Sequence, residues 1–446
     1  MFIKKMELSE GAILLNPITA KKMNMKKGGK AVLHLGIWQK EVKLILNKEI
    51  DHDVLKVPDN LFGFTIPEDI DFDWRTEGRD LYLGPVLGIV RGVRMANINK
   101  RSLKILLRWV RSYNQHKGLV IIFPLSEVQV DSTSVKGFCY HPGQAGTMWM
   151  EGDFPMPDAV FNRPIAGAGN KYHLLEQITG GRFFNSRGTG KWEFYQALLK
   201  NPDASSLVPH TEKFTHFEQL FTKLEEYQVI YVKKRFGARG YGIIQMKKTA
   251  HAIEVTRVIK GTQIKEFYKT EEECKDCLKK IVKKNRYIIQ QGVPFENNRK
   301  QVDFRGYIQK DSSKVWQVRG IIGRLAKPGS VITNLRYTEK ILPGEDALKE
   351  FHGYAQKEAE TVLSNMNEAC IRAAESLDMN IGHFGDVALD FIVDQKGDIY
   401  FLEANSNYGH ESLGKINDHE LRKRVFESPL EYAKALAGFG DRQEGG

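Results

Sequence analysis

Apolar and polar positions alternate most tellingly over residues 386–407, DVALDFIVDQKGDIYFLEANSN. Two β-branched and aromatic runs, 387–393 and 399–402, flank the polar stretch Asp394-Gln395-Lys396-Gly397-Asp398, which is a hairpin pattern. A strand period of two puts Ile399, Phe401, Glu403 and Asn405 on one face. With Lys396-Gly397 as a two-residue loop, Gln395 pairs with Asp398, and counting back sets Asp390 opposite Glu403. Side chains directly opposite share a face. Two carboxylates that close repel unless something positive lies between them. Oxygen-only ligands of this kind suit a hard cation, and Mg²⁺ typically takes one or two carboxylates and completes its shell with phosphate oxygens and water. The plainer alternative is a hairpin whose acids end its strands in water. It accounts for Asp394 and Asp398 but poorly for Glu403 and Asn405, which close an apolar run.

Elsewhere the same patterning predicts a series of elements. Residues 30–36 and 40–46 are short strands in a β-rich segment, residues 1–75. A buried strand at 81–89, an amphipathic helix at 101–113 with Leu103, Leu106, Leu107 and Val110 in one stripe, and a buried strand at 118–123 form a βαβ unit on a parallel sheet. A short strand at 156–163 and a helix at 170–178, stopped by Gly180-Gly181, follow. Gly188-Thr189-Gly190-Lys191 departs from a phosphate-binding P-loop, because Asn185 stands at its first glycine and Trp192 follows the lysine. Lys191 instead opens a helix at 192–199. Beyond Pro209 come a helix (216–226), a strand (228–233), a strand (286–293), two strands (302–309 and 315–326), a long helical region (346–377) with a break near Tyr354, the hairpin, and a helix (421–436).

Composition narrows the class. The chain has 446 residues, 41% hydrophobic and 27% charged, as expected of a soluble globular protein with room for several domains. Lys and Arg outnumber Asp and Glu by 66 to 55, a balance that favours anionic ligands. Four cysteines, Cys139, Cys274, Cys277 and Cys370, are too few for a disulfide scaffold and fit a reducing compartment. Cys274 and Cys277 form a CxxC on a charged helix with no second ligand pair, so zinc is not expected. No signal-peptide core or membrane-length apolar run is present, so a cytoplasmic protein is expected.

The candidate chemistry is concentrated after residue 207. Lys233-Lys234-Arg235-Phe236-Gly237-Ala238-Arg239-Gly240-Tyr241-Gly242 is a basic, glycine-rich loop between two strands, whose backbone N–H groups can approach an anion closely. The strand ending in Gln290-Gln291-Gly292-Val293 offers polar backbone at an edge, as a purine requires. Arg305 and Arg324 lie among apolar strand residues, and their forked donors suit phosphate or carboxylate; a structural ion pair is the alternative. These parts together could surround a triphosphate with its Mg²⁺, and no nucleophile–base pair competes with them. That is the pattern of chemistry done by positioning and charge stabilisation on phosphate.

This order of parts resembles the ATP-grasp superfamily, and most of all the endospore coat-associated ATP-grasp proteins of spore-forming bacteria. The resemblance spans residues 81–407. It is carried by Val232-Lys233 with Gly237, Gly240 and Gly242, by Tyr287-Ile288-Ile289-Gln290-Gln291-Gly292 with Asp303-Phe304-Arg305, and by Asp390-Phe391 with Phe401-Leu402-Glu403-Ala404-Asn405. It implies an α+β, α/β architecture: a small N-terminal β-rich domain (1–75), a Rossmann-like pre-ATP-grasp domain (76–206), an ATP-grasp domain of two α+β subdomains clasping ATP (207–437), and a loose tail (438–446). It further implies that Lys191, Lys233 and the glycine loop bind the nucleotide and that Gln290, Gln291 and Val293 border the adenine. Arg305 and Arg324 would hold the γ-phosphate or an acyl phosphate. Asp390, Glu403 and Asn405 would hold Mg²⁺. The sequence departs from the family's usual pattern at Lys234, where proline is usual, at Gln290-Gln291, where an acid often grips the ribose, and at Asn334-Leu335-Arg336-Tyr337, which lacks paired glycines.

The activity implied is ATP-dependent joining of a carboxylate to an amine (or thiol) through an acyl phosphate, on an amino acid or acidic peptide, in the cytoplasm or at the spore coat. The alternative is a non-catalytic, nucleotide-binding structural protein of the coat. A membrane partner is not expected, nor is nucleic acid, since no aromatic residues interleave the lysines of 275–286.

Overall fold

A computed structural model describes residues 1–446 except 27, 144–147, 165–169, 238–241, 260–261, 294–295, 298–299, 331–332, 334 and 441–446. The chain forms two compact units. The first comprises residues 1–186, 310–315 and 423–446. The second comprises 187–309 and 316–422.

In the first unit, strands between residues 2 and 84 form a seven-stranded mixed sheet, and strands between 86 and 184 form a six-stranded one. The strand expected over 81–89 is two strands. Asp80–Gly84 belongs to the first sheet and Val86–Val90 to the second, with Pro85, which has no N–H to give a ladder, between them. The βαβ crossover is present, with Val86 paired to Leu119 and Val90 to Phe123 in parallel. The helix expected over 101–113 is shorter, Lys100–Leu106. Asn99 caps it, its side-chain oxygen accepting from the Ser102 N–H at 2.9 Å. The chain then tightens into i→i−3 bonds, such as Trp109 N–H to the Leu106 oxygen at 3.1 Å.

The second unit contains two sheets. Helix α1 is Lys191–Leu199, α2 Glu218–Tyr227, α3 Glu271–Lys279 and α4 Gln356–Asn380. Strands β1 Thr211–Lys213, β2 Val229–Lys234, β3 Ile244–Lys248, β4 Ile253–Ile259, β5 Thr262–Tyr268 and β6 Tyr287–Gln291 make an antiparallel sheet in the order β1-β6-β2-β3-β4-β5. Its core joins Leu220, Phe221 and Leu224 of α2 and Cys274 and Leu278 of α3 to Ile230, Val232, Met246 and Ile289 of the strands. Of the CxxC, Cys274 is therefore a core residue and Cys277 is half-buried.

The second sheet runs β9-β8-β7-β10-β11, where β7 is Lys300–Lys310, β8 Trp316–Ala326, β9 Thr338–Pro343, β10 Asp386–Val393 and β11 Ile399–Asn405. One face is apolar and packs on α4, whose Ala359, Val362, Met366, Ala369, Cys370, Ala373 and Leu377 recur at helical spacing. The break expected near Tyr354 is at Gly353, whose φ of +76° ends the preceding helical turns.

The central hairpin differs from its expected register in an instructive way. Its loop is longer than two residues: Asp394 N–H reaches the Asp398 oxygen at 2.9 Å, and the ladder begins at Val393↔Ile399. That is one residue out of the expected step. A β-bulge then gives β11 one extra residue, Leu402, so that Phe391↔Phe401 is followed by Asp390↔Glu403. The two offsets cancel, and Asp390 does face Glu403. The bulge also changes the face. Ile399 and Phe401 point into the core with Phe391 and Val393, whereas Glu403 and Asn405 pair with Asp390 and Ala388 on the opposite face. The expectation that all four β11 residues share one face is corrected accordingly.

Candidate active site

The polar face of this second sheet collects charged side chains by strand alternation. On β7, Asp303, Arg305, Tyr307 and Gln309 share the face opposite Phe304 and Ile308, which enter the core. The β7–β10 ladder aligns Arg305 with Asp390 and Gln309 with Asp386. Arg305 donates from Nε to Asp390 Oδ1 and from Nη2 to Oδ2, both at 2.7 Å, a bidentate pair. Arg324 on β8 does the same to Asp303, at 2.7 and 2.6 Å, and its Nη2 also lies 3.3 Å from Asp390 Oδ1. Thr333 donates its hydroxyl to Asp303.

Burial alone would raise the pKa of Asp390, but the two guanidinium groups outweigh it and hold the carboxyl far below the usual carboxylate range. Asp303 goes the other way, because its burial outweighs the pull of Arg324. Both arginines stay charged despite their burial, since Asp390 and Asp303 favour the cation.

Glu403 has its own cation. Lys191 Nζ lies 2.5 Å from Glu403 Oε2, and Asn405 Nδ2 donates to Oε1 at 3.1 Å. Lys191 is the first residue of α1, and its backbone N–H donates to the Arg235 oxygen at 3.0 Å, tying the helix start to the strand that enters the glycine loop. Thr189 donates its hydroxyl to the Ala404 oxygen, which anchors the residues before α1 to β11.

Lys233 is buried, 6% exposed. Its Nζ donates to Gln290 Oε1 on the neighbouring strand β6 at 2.6 Å. Burial first, and then the charge of Lys191, lower its pKa to about 8, against a smaller opposing pull from Glu403 and Asp303. These charges couple Lys233 of the first sheet and Lys191 of α1 to the acids of the second sheet.

The residues expected at the site divide as follows. Lys191, Lys233, Gln290, Arg305, Arg324, Asp390, Glu403 and Asn405 converge in the second unit. Gly237 is exposed, and its carbonyl accepts from Lys191 Nζ at 3.3 Å. Gly242 has a φ of +79°, and a Cβ there would lie 2.8 Å from Lys234 Cε, so the turn demands glycine. Gly240 and Asn334 lie outside the described residues. Gln291 alternates to the other side of β6 from Gln290, with its side-chain oxygen facing the His210 N–H at 3.4 Å, and Val293 is half-buried.

Sequence reasoning assigned no role to Asp303, Thr211 or Asp386. Asp303 was reachable, because it stands two residues before Arg305 and so shares its face. Asp386, which accepts from Gln309 Nε2 at 2.8 Å and Tyr408 OH at 2.6 Å, needed the register of β7 on β10. Among the described residues, no group of three or more His, Cys, Asp or Glu side chains is arranged to hold a metal by itself.

Arginines and lysines paired with acids across two sheets, with a glycine loop between strands, define an ATP-grasp domain, the architecture of ATP-dependent ligases. The chain belongs to the YheC/D-like ATP-grasp family, which it matches over residues 180–436. It is similar to the endospore coat-associated protein YheD of Bacillus subtilis (strain 168), 24% identical over 93% of this chain and 92% of that one. It is also similar to YheC of the same organism, 22% identical over 76% of this chain and 91% of that one. Among solved structures, the VanG D-Ala:D-Ser ligase from Enterococcus faecalis aligns with 79% of this chain and 98% of its own at 13% identity, with a TM-score of 0.46. Among the described residues, no helix is long and apolar enough to cross a membrane.

Proposed function

We propose that the protein is an ATP-dependent carboxylate–amine ligase working through an acyl phosphate. The observation that carries this reading is the bidentate Arg305–Asp390 pair with Arg324 against it, on the face where Glu403 and Asn405 also lie. Asp390 is kept ionised there, and Glu403 and Asn405 add only hard oxygen donors, so the donor set fits Mg²⁺. Asp390, Glu403 and Asn405 would hold that ion, which when bound offsets the charge of the phosphates. Two carboxylates and an amide fall short of a complete shell, as expected where phosphate oxygens finish it.

In this reading Lys233 and Lys191 bind the phosphates, and the glycine loop covers them. The substrate carboxylate oxygen attacks the γ-phosphorus and ADP leaves. Arg305 and Arg324 stabilise the negative charge gathering on the transferred group. The amine nitrogen then attacks the acyl carbon, phosphate departs, and the nitrogen loses its proton. Coat association in the names of both curated relatives supports action on a spore-coat component in a spore-forming cell, and the basic balance of the chain supports an acidic acceptor. Incubation with ATP, Mg²⁺ and a panel of amino acids and acidic peptides should yield ADP and phosphate only when the right carboxylate and amine are both present. A protein that binds ATP yet yields no acceptor-dependent ADP across coat extracts would instead support the non-catalytic coat role.

A further inference from the structure

Gln290 is the residue by which the first sheet addresses its buried cation. It sits on β6 opposite Tyr231 of β2 and Thr211 of β1, so it is flanked by a strand on each side. It is 3% exposed. Its side-chain oxygen accepts from Lys233 Nζ at 2.6 Å, and its amide nitrogen donates to Thr211 Oγ1 at 3.1 Å. The Thr211 hydroxyl in turn donates to the Pro209 oxygen at 2.9 Å. An amide has one acceptor end and one donor end, and here the order of the chain fixes which is which. Lysine offers only donors, so the oxygen must face Lys233. Thr211 has given its proton to Pro209, so it must accept from the nitrogen. Both ends of Gln290 are thus engaged inside the sheet. Lys233 in turn is surrounded by the charges of Lys191, Glu403 and Asp303 and by the Tyr231 ring, 5.1 Å away.

We propose that Gln290 is a positioning residue that acts on the nucleotide through Lys233, by aiming the ammonium at the polyphosphate, and takes no part in reading the base. This rests on the ligase reading above, but only on its nucleotide-binding half. The Thr211–Gln290 bond keeps the amide from turning over, so Thr211 contributes to the same aim at one remove.

The two roles predict different selectivities. A residue that touches adenine changes the preference of ATP over GTP. A residue that aims a phosphate-binding lysine weakens every polyphosphate alike. The test is calorimetric titration of the full chain with ATP, GTP and inorganic tripolyphosphate, each with Mg²⁺. For Gln290→Leu, affinity for ATP and for tripolyphosphate should each fall about tenfold, with the ATP/GTP ratio unchanged. In a Lys233→Met background the same change should add nothing, because the interaction it removes is already gone. Gln290→Glu, which keeps an acceptor toward Lys233, should restore tripolyphosphate binding and hold it to higher pH than the parent chain. An altered ATP/GTP ratio with intact tripolyphosphate affinity would overturn the proposal, as would additive effects in the double variant. If the parent chain binds neither nucleotide nor tripolyphosphate, the ligase reading itself fails, which is a separate result. Thermal unfolding of each variant without ligand separates loss of aim from loss of fold.

Discussion

Lys191 Nζ stands 2.5 Å from Glu403 Oε2, so a lysine expected to meet phosphate is paired with an acid expected to meet a metal. With Asn405 Nδ2 on the other oxygen, each oxygen of Glu403 has a donor. Asp390 is occupied likewise by Arg305. A divalent ion arriving alone must displace these cations, whereas one arriving with polyphosphate offers the lysine a new anion in exchange. Metal and nucleotide should therefore bind cooperatively. Replacing Lys191 by Met should tighten Mn²⁺ binding in the absence of nucleotide and weaken ATP binding, each by about tenfold. Electron paramagnetic resonance of free Mn²⁺ reads the first and calorimetry the second. Parallel losses of both affinities would contradict the exchange.

Arg305 has two separable effects. Removing it leaves Asp390 buried beside Arg324 alone, and breaking a buried ion pair by removing one partner costs about 3–5 kcal/mol of stability. Arg305→Ala should therefore unfold at lower temperature as well as lose turnover by about a hundredfold or more. Arg305→Lys keeps the charge but not the fork. It should recover most of the stability and little of the turnover. Equal recovery of both would assign Arg305 a structural role only.

Lys233 predicts opposite pH trends for binding and folding. Burial and the Lys191 charge lower its pKa to about 8 in the folded chain. Phosphate binding needs the ammonium, so nucleotide affinity should fall as pH rises through 8, by about tenfold per unit above it. Folding runs the other way. Between 8 and the ordinary lysine value the unfolded chain holds more protons than the folded one at this site, so this group adds stability as pH increases over that window. Calorimetry and thermal melts from about pH 6.5 to about pH 9.5 should cross in sign, and both trends should vanish in Lys233→Met.

The sequence carried the second unit's site-bearing elements, whose apolar periods are strong, but not the strands β4, β5 and β9. The strand bearing Arg305, the strand bearing Arg324 and the hairpin bearing Asp390 and Glu403 could all be read directly. What could not be read were the partners. Asp390 was expected to meet a cation, but that its nearest cation is the guanidinium of Arg305 depends on the β7–β10 register, which no local pattern encodes. The pairing of Asp390 with Glu403 came out correctly from a loop one step too tight and a strand with no bulge, two local assumptions that tertiary pairing replaced together. The strand expected at 81–89 failed for a simpler reason, since Gly84-Pro85 breaks the apolar run and marks a passage between two sheets. The mutual engagement of Lys233 and Gln290 also lay beyond reach, because sequence places the amide at an edge but not its two ends.

Leu402 acts as an odd-numbered correction in an otherwise even count. Upstream of it the strand obeys the demands of the oily layer beneath, and downstream it serves the ionic layer above. At 402 the extra residue is what turns Glu403 away from the core, since an unbroken period of two would carry its carboxylate toward Phe391 and α4. The hairpin thus changes allegiance at one residue, and its chemistry begins there.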